Sequence, residues 1–92
     1  MAVFLIATIK GATTDQYDRA VQKVLVSNWP NGLIHHFCAS SDDGFTVLEE
    51  WESEQALQAF QGSDKFRRDL ESEGIPQPEQ LILPVHNELH RS

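Results

Sequence analysis

Along the chain, apolar positions change their period several times, and each change marks an element. Residues 3 to 9 (VFLIATI) are almost uniformly apolar and rich in β-branched side chains, which predicts a strand covered on both faces. GATTD then breaks the strand and caps a helix, with Thr13 and Gln16 at capping-box spacing. Tyr17, Ala20, Val21, Val24 and Leu25 follow at three- and four-residue intervals, one apolar stripe on a helix of about three to four turns. Pro30 and Gly32 in SNWPNG end it. LIHHFCAS, SDDG and FTVLEEW read as a β-hairpin, in which Asp42 and Asp43 suit a type I turn and Gly44 the left-handed position after it. Ser53 caps the next helix, whose apolar face carries Ala56, Leu57 and Phe60. Gly62 interrupts that helix, and Ser63 recaps a second piece bearing Phe66 and Leu70 that stops at Gly74. After a stiff IPQPE linker, LILPVHNEL supplies the last strand, and Pro84 places part of it at an edge or a bulge.

The resulting order, β-α-β-β-α-β across residues 1–92, is that of one α+β domain of ferredoxin-like type with an antiparallel sheet. Right-handed crossovers put both helices on one face of such a sheet. The opposite face should then be polar, yet the first and last strands are apolar at both parities. Val3, Leu5, Ala7 and Ile9 point one way and Phe4 and Ile6 the other, while Leu81 and Leu83 oppose Ile82. A bare apolar sheet face is unusual for a soluble monomer. The mismatch predicts a homodimer, a second copy related by a two-fold axis covering the helix-free face.

Composition narrows the partners. With 14 acidic and 7 basic residues the formal charge is −7, and the basic residues are scattered rather than striped, which argues against nucleic acid and anionic membrane. The apolar N-terminal stretch before Lys10 is too short to span a bilayer and lacks the basic leader of a signal peptide. Cys38 is the single cysteine, so no intrachain disulfide forms and a cytoplasmic location is expected. Its place between Phe37 and Ala39 is that of a buried thiol rather than a nucleophile.

The stretch EEWESEQALQAFQGSDKF resembles the strand-to-helix signature of the antibiotic biosynthesis monooxygenase-like (ABM) proteins, dimeric α+β barrels. The matching positions are Glu49, Trp51, Ser53, Ala56, Ser63 and Phe66. A closer likeness is to small members of that superfamily with no established function, through GLIHH (Gly32 to His36), GIPQP (Gly74 to Pro78) and PVHN (Pro84 to Asn87). The resemblance implies the barrel and a ligand-sized cavity between each sheet and its helices. The superfamily includes cofactor-free oxygenases of aromatic polyketides and quinols, haem degraders, and proteins with no known reaction. Many of its enzymes carry a histidine nine residues after the tryptophan, where this chain has Phe60.

The candidate chemistry gathers around Glu49 and Trp51, which share one face of a strand by its period of two. Trp51 reads either as core packing, its indole N–H needing one acceptor, or as a wall of the cavity. A carboxylate on the face of Val47 and Trp51 must be solvated, paired or raised in pKa. If raised, Glu49 can act as a general base towards an acidic phenol or enol; if paired, it belongs to packing or to the subunit interface. His35 and His36 lie on opposite faces, so one of them joins Glu49, and turn length decides which. A three-residue loop of Asp42, Asp43 and Gly44 sets His35 opposite Trp51, whereas an even loop sets His36 opposite Glu49. Turn chemistry points to the first arrangement and the GLIHH likeness to the second.

Late in the chain, His86 and Asn87 are candidates for ligand contact or for tying the last strand to a loop or a partner. His86 and His90 share a metal-ligand face only in a helix, so no metal is expected, nor any bound cofactor. No glycine-rich phosphate loop or nucleophile elbow is present. Two functions follow. One is a pocket protein that holds a small apolar or aromatic molecule against Trp51 and Phe60, or oxidises a quinol or polyketide-like substrate without a cofactor. The other is a binding or structural module whose cavity is filled by side chains. A void lined by Glu49 or a histidine favours the first.

Overall fold

A computed structural model describes residues 1–91. It comprises β1 (Val3–Lys10), α1 (Thr14–Val21) continued by a π-helical turn over Gln22–Val26, β2 (Leu33–Ser41), β3 (Gly44–Trp51), α2 (Glu54–Gln61), α3 (Asp64–Ser72) and β4 (Glu79–Pro84). The strands form one antiparallel sheet in the order β2-β3-β1-β4, the α+β ferredoxin-like arrangement predicted from the sequence. Among the described residues, no helix is long and apolar enough to cross a membrane.

Local chemistry places the helices. The Thr13 hydroxyl accepts from the Gln16 backbone N–H while the Gln16 side chain accepts from the Thr13 N–H, a complete capping box. Ser53 and Ser63 cap α2 and α3 in the simpler way, accepting from the N–H groups of Ala56 and Phe66. Gly62 separates these two helices, and Gly74, at φ 70°, closes α3: its N–H donates to the Glu71 carbonyl and the following Ile75 N–H to the Leu70 carbonyl. Pro84 ends β4 at the sheet edge, where its missing N–H costs no ladder bond.

The sheet has one covered and one open face. Val3, Leu5, Ala7 and Ile9 of β1 are buried against the helices together with Phe45, Val47 and Trp51 of β3. On the other face, Phe37, Leu48, Ile6 and Leu81 are register partners in one apolar row across all four strands. Phe37 is 60% exposed and Leu81 53%. Strand alternation thus leaves an uncovered apolar face where the sequence predicted one.

In the β2–β3 hairpin the structure decides between the two loop lengths left open, and Gly44 and Cys38 differ from expectation. Ser41 pairs with Gly44, so the loop is Asp42-Asp43 alone and has two residues, not three. Gly44 is not left-handed; the described glycines with positive φ are Gly11, Gly32 and Gly74. Its role is close approach, since a Cβ there would lie 1.9 Å from the Ile9 carbonyl oxygen. That contact lets β3 begin one residue earlier and pair Gly44 with both Ser41 and Lys10. Cys38, expected to be buried, is exposed, because β2 is an edge strand whose far end runs beyond the helices. A register shift between Leu33 and His35 adds Ile34 as an extra residue. The bulge puts Leu33 and His36 on the covered face together, which the parity of an unbroken strand forbids.

Because close approach and not a left-handed turn requires the glycine, Gly44→Asn is expected to be no better tolerated than Gly44→Ala. Each should cost about 1–3 kcal/mol in denaturant unfolding, the range for forced overpacking. A neutral asparagine, the residue most at home at positive φ, would show that the turn and not the Ile9 contact selects glycine.

Candidate functional site

Between the covered face and the helices lies a cavity of about 100 Å3. Its walls are mostly aliphatic and aromatic, from Leu5 and Val47 of the sheet to Val21, Phe60 and Leu70 of the helices. Of the polar side chains in its wall, Gln61 and Gln80 lie together at one side, and the other three meet from three elements: Tyr17 from α1, His36 from β2 and Glu49 from β3. Tyr17 begins the apolar stripe of its helix, which the capping box starts at Thr14. His36 and Glu49 are register partners, so their side chains leave the sheet side by side.

These residues form a continuous hydrogen-bonded chain. The Trp51 indole N–H donates to Glu49 Oε1 at 2.9 Å, and Glu49 Oε2 lies 2.6 Å from His36 Nδ1. His36 Nε2 in turn lies 2.6 Å from the Tyr17 hydroxyl. An ionised carboxylate only accepts, so it sets the imidazole tautomer: Nδ1–H donates to Glu49, and Nε2 accepts the Tyr17 O–H. Each Glu49 oxygen has a donor, as a carboxylate that is 7% exposed requires. The Tyr17 and His36 rings are stacked, and Phe45 meets Tyr17 edge-on, which fixes the phenol at the chain's open end. Burial first, then the neighbouring Cys38 and Glu49, pushes the Tyr17 pKa up to about 12, so the phenol is a protonated donor at neutral pH.

The sequence-derived candidates separate as follows. Glu49 and His36 meet in the cavity, while His35 turns to the open face and pairs with Glu50 at 3.1 Å. The hairpin's even loop accounts for this, against the arrangement that turn chemistry suggested. Trp51 is fully buried and outside the cavity wall; it orients Glu49 and packs on Phe60 at a ring separation of 5.4 Å. Phe60 is part of the wall and also contacts Phe66. His86 and Asn87 are exposed in the C-terminal segment, away from the cavity lining. Glu49 lies on the covered face and not on the open face where a second copy would pack. The sequence places Tyr17 in the apolar stripe of its helix; the one signal of a polar role is its hydroxyl tip on an otherwise aliphatic stripe.

The model of the family described as antibiotic biosynthesis monooxygenase matches residues 2–70. Among solved structures, Rv0793 from Mycobacterium tuberculosis is 16% identical with a TM-score of 0.74, over 98% of this chain and all (100%) of that one. SnoaB, a cofactor-independent oxygenase from Streptomyces nogalater, is 9% identical with a TM-score of 0.74 and covers 98% of this chain and 97% of its own. A monooxygenase from the gene ActVA-Orf6 of Streptomyces coelicolor, solved with the ligand nanaomycin D, is 20% identical with a TM-score of 0.64, covering 99% of this chain and 92% of its own. At these identities the likeness is one of fold. A comparison with curated protein sequences found no match.

Tyr17 is the single tyrosine, so its ionisation can be followed by ultraviolet absorbance without ambiguity. The midpoint is expected near 12, with circular dichroism confirming that the fold persists. A folded pKa raised above the ordinary value of 10.0 means that the associated stability is complete below pH 10.0 and is lost as pH rises towards 12. A midpoint near 10.0 in the folded protein would place the phenol in water, free of His36. Trp51→Ala should cost about 3–5 kcal/mol, as for a large aromatic removed from a core. A loss below about 1 kcal/mol, the range of surface substitutions, would contradict its burial.

Proposed function

The chain belongs to the antibiotic biosynthesis monooxygenase family, and on that premise we propose that it binds a small aromatic molecule with an acidic hydroxyl in the cavity and takes its proton. The Tyr17–His36–Glu49 chain, ending at an apolar cavity, is the observation that supports this reading. A substrate hydroxyl can donate to the free lone pair of Tyr17 Oη while Tyr17 donates to His36 Nε2. The proton then moves from substrate to Tyr17, and the Tyr17 proton to His36. The imidazolium so formed stays paired with the Glu49 carboxylate, which Trp51 holds in place. Apolar walls exclude water and leave the substrate anion electron-rich. The cavity is smaller than the roughly 300–1,000 Å3 of drug-sized sites, so a single-ring phenol or quinol fits better than a fused polyketide.

The base also supports a second reading, cofactor-independent monooxygenation. A deprotonated ring can pass electrons directly to O2. For a ring CH2 in conjugation with the hydroxyl, one oxygen atom becomes the carbonyl and the other leaves as water with the two hydrogens. The protein's part is the dry cavity, the base and the orientation. Phe60, at the position of a histidine in many related enzymes, leaves His36 as the histidine on the cavity wall among the described residues.

The assembly in this reading is a homodimer through the open face. The Phe37–Leu48–Ile6–Leu81 row supports it, since a second copy is the cheapest cover for an apolar face that repeats across every strand. An interface above about 1,000 Å2 is expected.

Calorimetric titration with hydroquinone and substituted phenols, paired with oxygen-electrode measurements, tests the function. Binding of single-ring compounds in preference to fused ones is expected. Glu49→Gln presents an amide N–H to His36, reversing the tautomer, and should slow any proton-dependent turnover about 10²–10⁴-fold with little effect on affinity. No binding of any ring compound at millimolar concentration would sink the proposal; binding without oxygen uptake would remove the oxygenase reading alone. For the assembly, sedimentation at micromolar concentration should give a dimer, and Phe37→Lys a monomer. A wild-type monomer would refute the interface.

A further inference from the structure

Glu50 presents an anomaly. It projects from the open face, where no helix packs, yet it is 6% exposed. The C-terminal segment after Pro84 closes over it, bringing Glu88 and His90 against Glu50 and His35. His35 and Glu50 are cross-strand neighbours with Nδ1 and Oε1 3.1 Å apart, and the His90 imidazole is hydrogen-bonded to the Glu88 carboxylate. The ligand-capable atoms of His35, Glu50 and Glu88 all lie within 4.8 Å of one another. Among the described residues, neither carboxylate is paired with a lysine or arginine.

Two carboxylates with oxygens within 4.8 Å of each other repel when both are ionised, and a cation between them relieves that repulsion. We propose that His35, Glu50 and Glu88, with His90 as a fourth donor, bind a divalent transition-metal ion of the Zn2+ type that fastens the C-terminal segment to the sheet. Two imidazoles and two carboxylates are a borderline donor set suited to Zn2+ rather than to the hard, all-oxygen cages of Ca2+ or Mg2+. The 3.1 Å between His35 and Glu50 is close to the edge of about 3.3 Å expected for a tetrahedron with metal–ligand bonds of 2.0–2.1 Å. Glu88 and His90 sit on an exposed, irregular segment, and on binding they would draw in to close the wider spread of the set. The pairing that His86 and His90 would have needed a helix to make is replaced by a set drawn from β2, β3 and the C-terminal segment. The site is on the sheet face opposite the cavity and does not depend on the proposed function.

The test uses tag-free protein stripped with chelator and titrated with Zn2+ by calorimetry, with thermal unfolding as a second readout. One ion per chain at micromolar affinity or tighter is expected, with a rise in Tm on saturation. His35→Ala and Glu88→Gln, both substitutions of partly exposed side chains, should each weaken binding at least tenfold and remove the Tm rise. His86→Ala and Cys38→Ser keep all four donors and should bind as the unaltered chain does. Absence of binding, or binding that His35→Ala and Glu88→Gln leave intact, would overturn the proposal, as would loss in the His86 or Cys38 variants alone.

Discussion

A carboxylate almost removed from water must have a donor on each oxygen, and much of the structure around Glu49 follows from that requirement. Trp51 supplies one donor from two residues along the same strand, and His36 supplies the other from the neighbouring strand. Both are held there by the register between β2 and β3. Slipping that register by one residue would turn His36 to the open face and leave Glu49 with an unpaired oxygen under an apolar roof. Trp51 therefore has two functions in one position. Its ring fills the core beside Leu57 and Phe60, and its N–H fixes the group that orients His36.

The same register divides the chemistry between the two faces. Adjacent residues on each strand, His35 and His36 opposite Glu50 and Glu49, build a histidine–glutamate pair on either side of the sheet. Under the helices the pair sits at the end of an apolar cavity and is completed by a phenol. On the open side it is completed by a second carboxylate and a second imidazole from the C-terminal segment. In the proposed function the first pair moves a proton, and in the proposed metal site the second holds a cation. The row next to it, Phe37–Leu48–Ile6–Leu81, is wholly apolar, so the open face is apolar at its middle and ionic at one end.

The elements and their order were legible in the sequence because they rest on local physics. Thr13 with Gln16, and Ser53 and Ser63, end helices through groups within one turn; Gly62, Gly74 and Pro84 act on their own backbone. The surplus of apolar residues at both parities of the first and last strands likewise announced a sheet with more greasy surface than two helices can cover. Glu49 and Trp51 on one face followed from the period of two alone. What local physics could not decide was whether His35 or His36 joined them. A two-residue and a three-residue loop are both good chemistry for SDDG. The choice was made by Gly44 lying against the Ile9 carbonyl, a contact between strands far apart in the chain. Cys38 departs from its local pattern for a related reason: its neighbours in sequence are apolar, but its strand is at the edge.

Sequence by itself thus determined the fold, the helix caps and the shared face of Glu49 and Trp51, since each depends on residues close along the chain or on simple periodicity. Tertiary structure alone decided that His36 faces Glu49, that Tyr17 completes their chain, and that Glu88 and His90 come to rest on His35 and Glu50. Those meetings depend on strand register, a one-residue bulge at Ile34 and the path of the last segment. Each has near-equal local alternatives, and only packing of distant parts of the chain separates them.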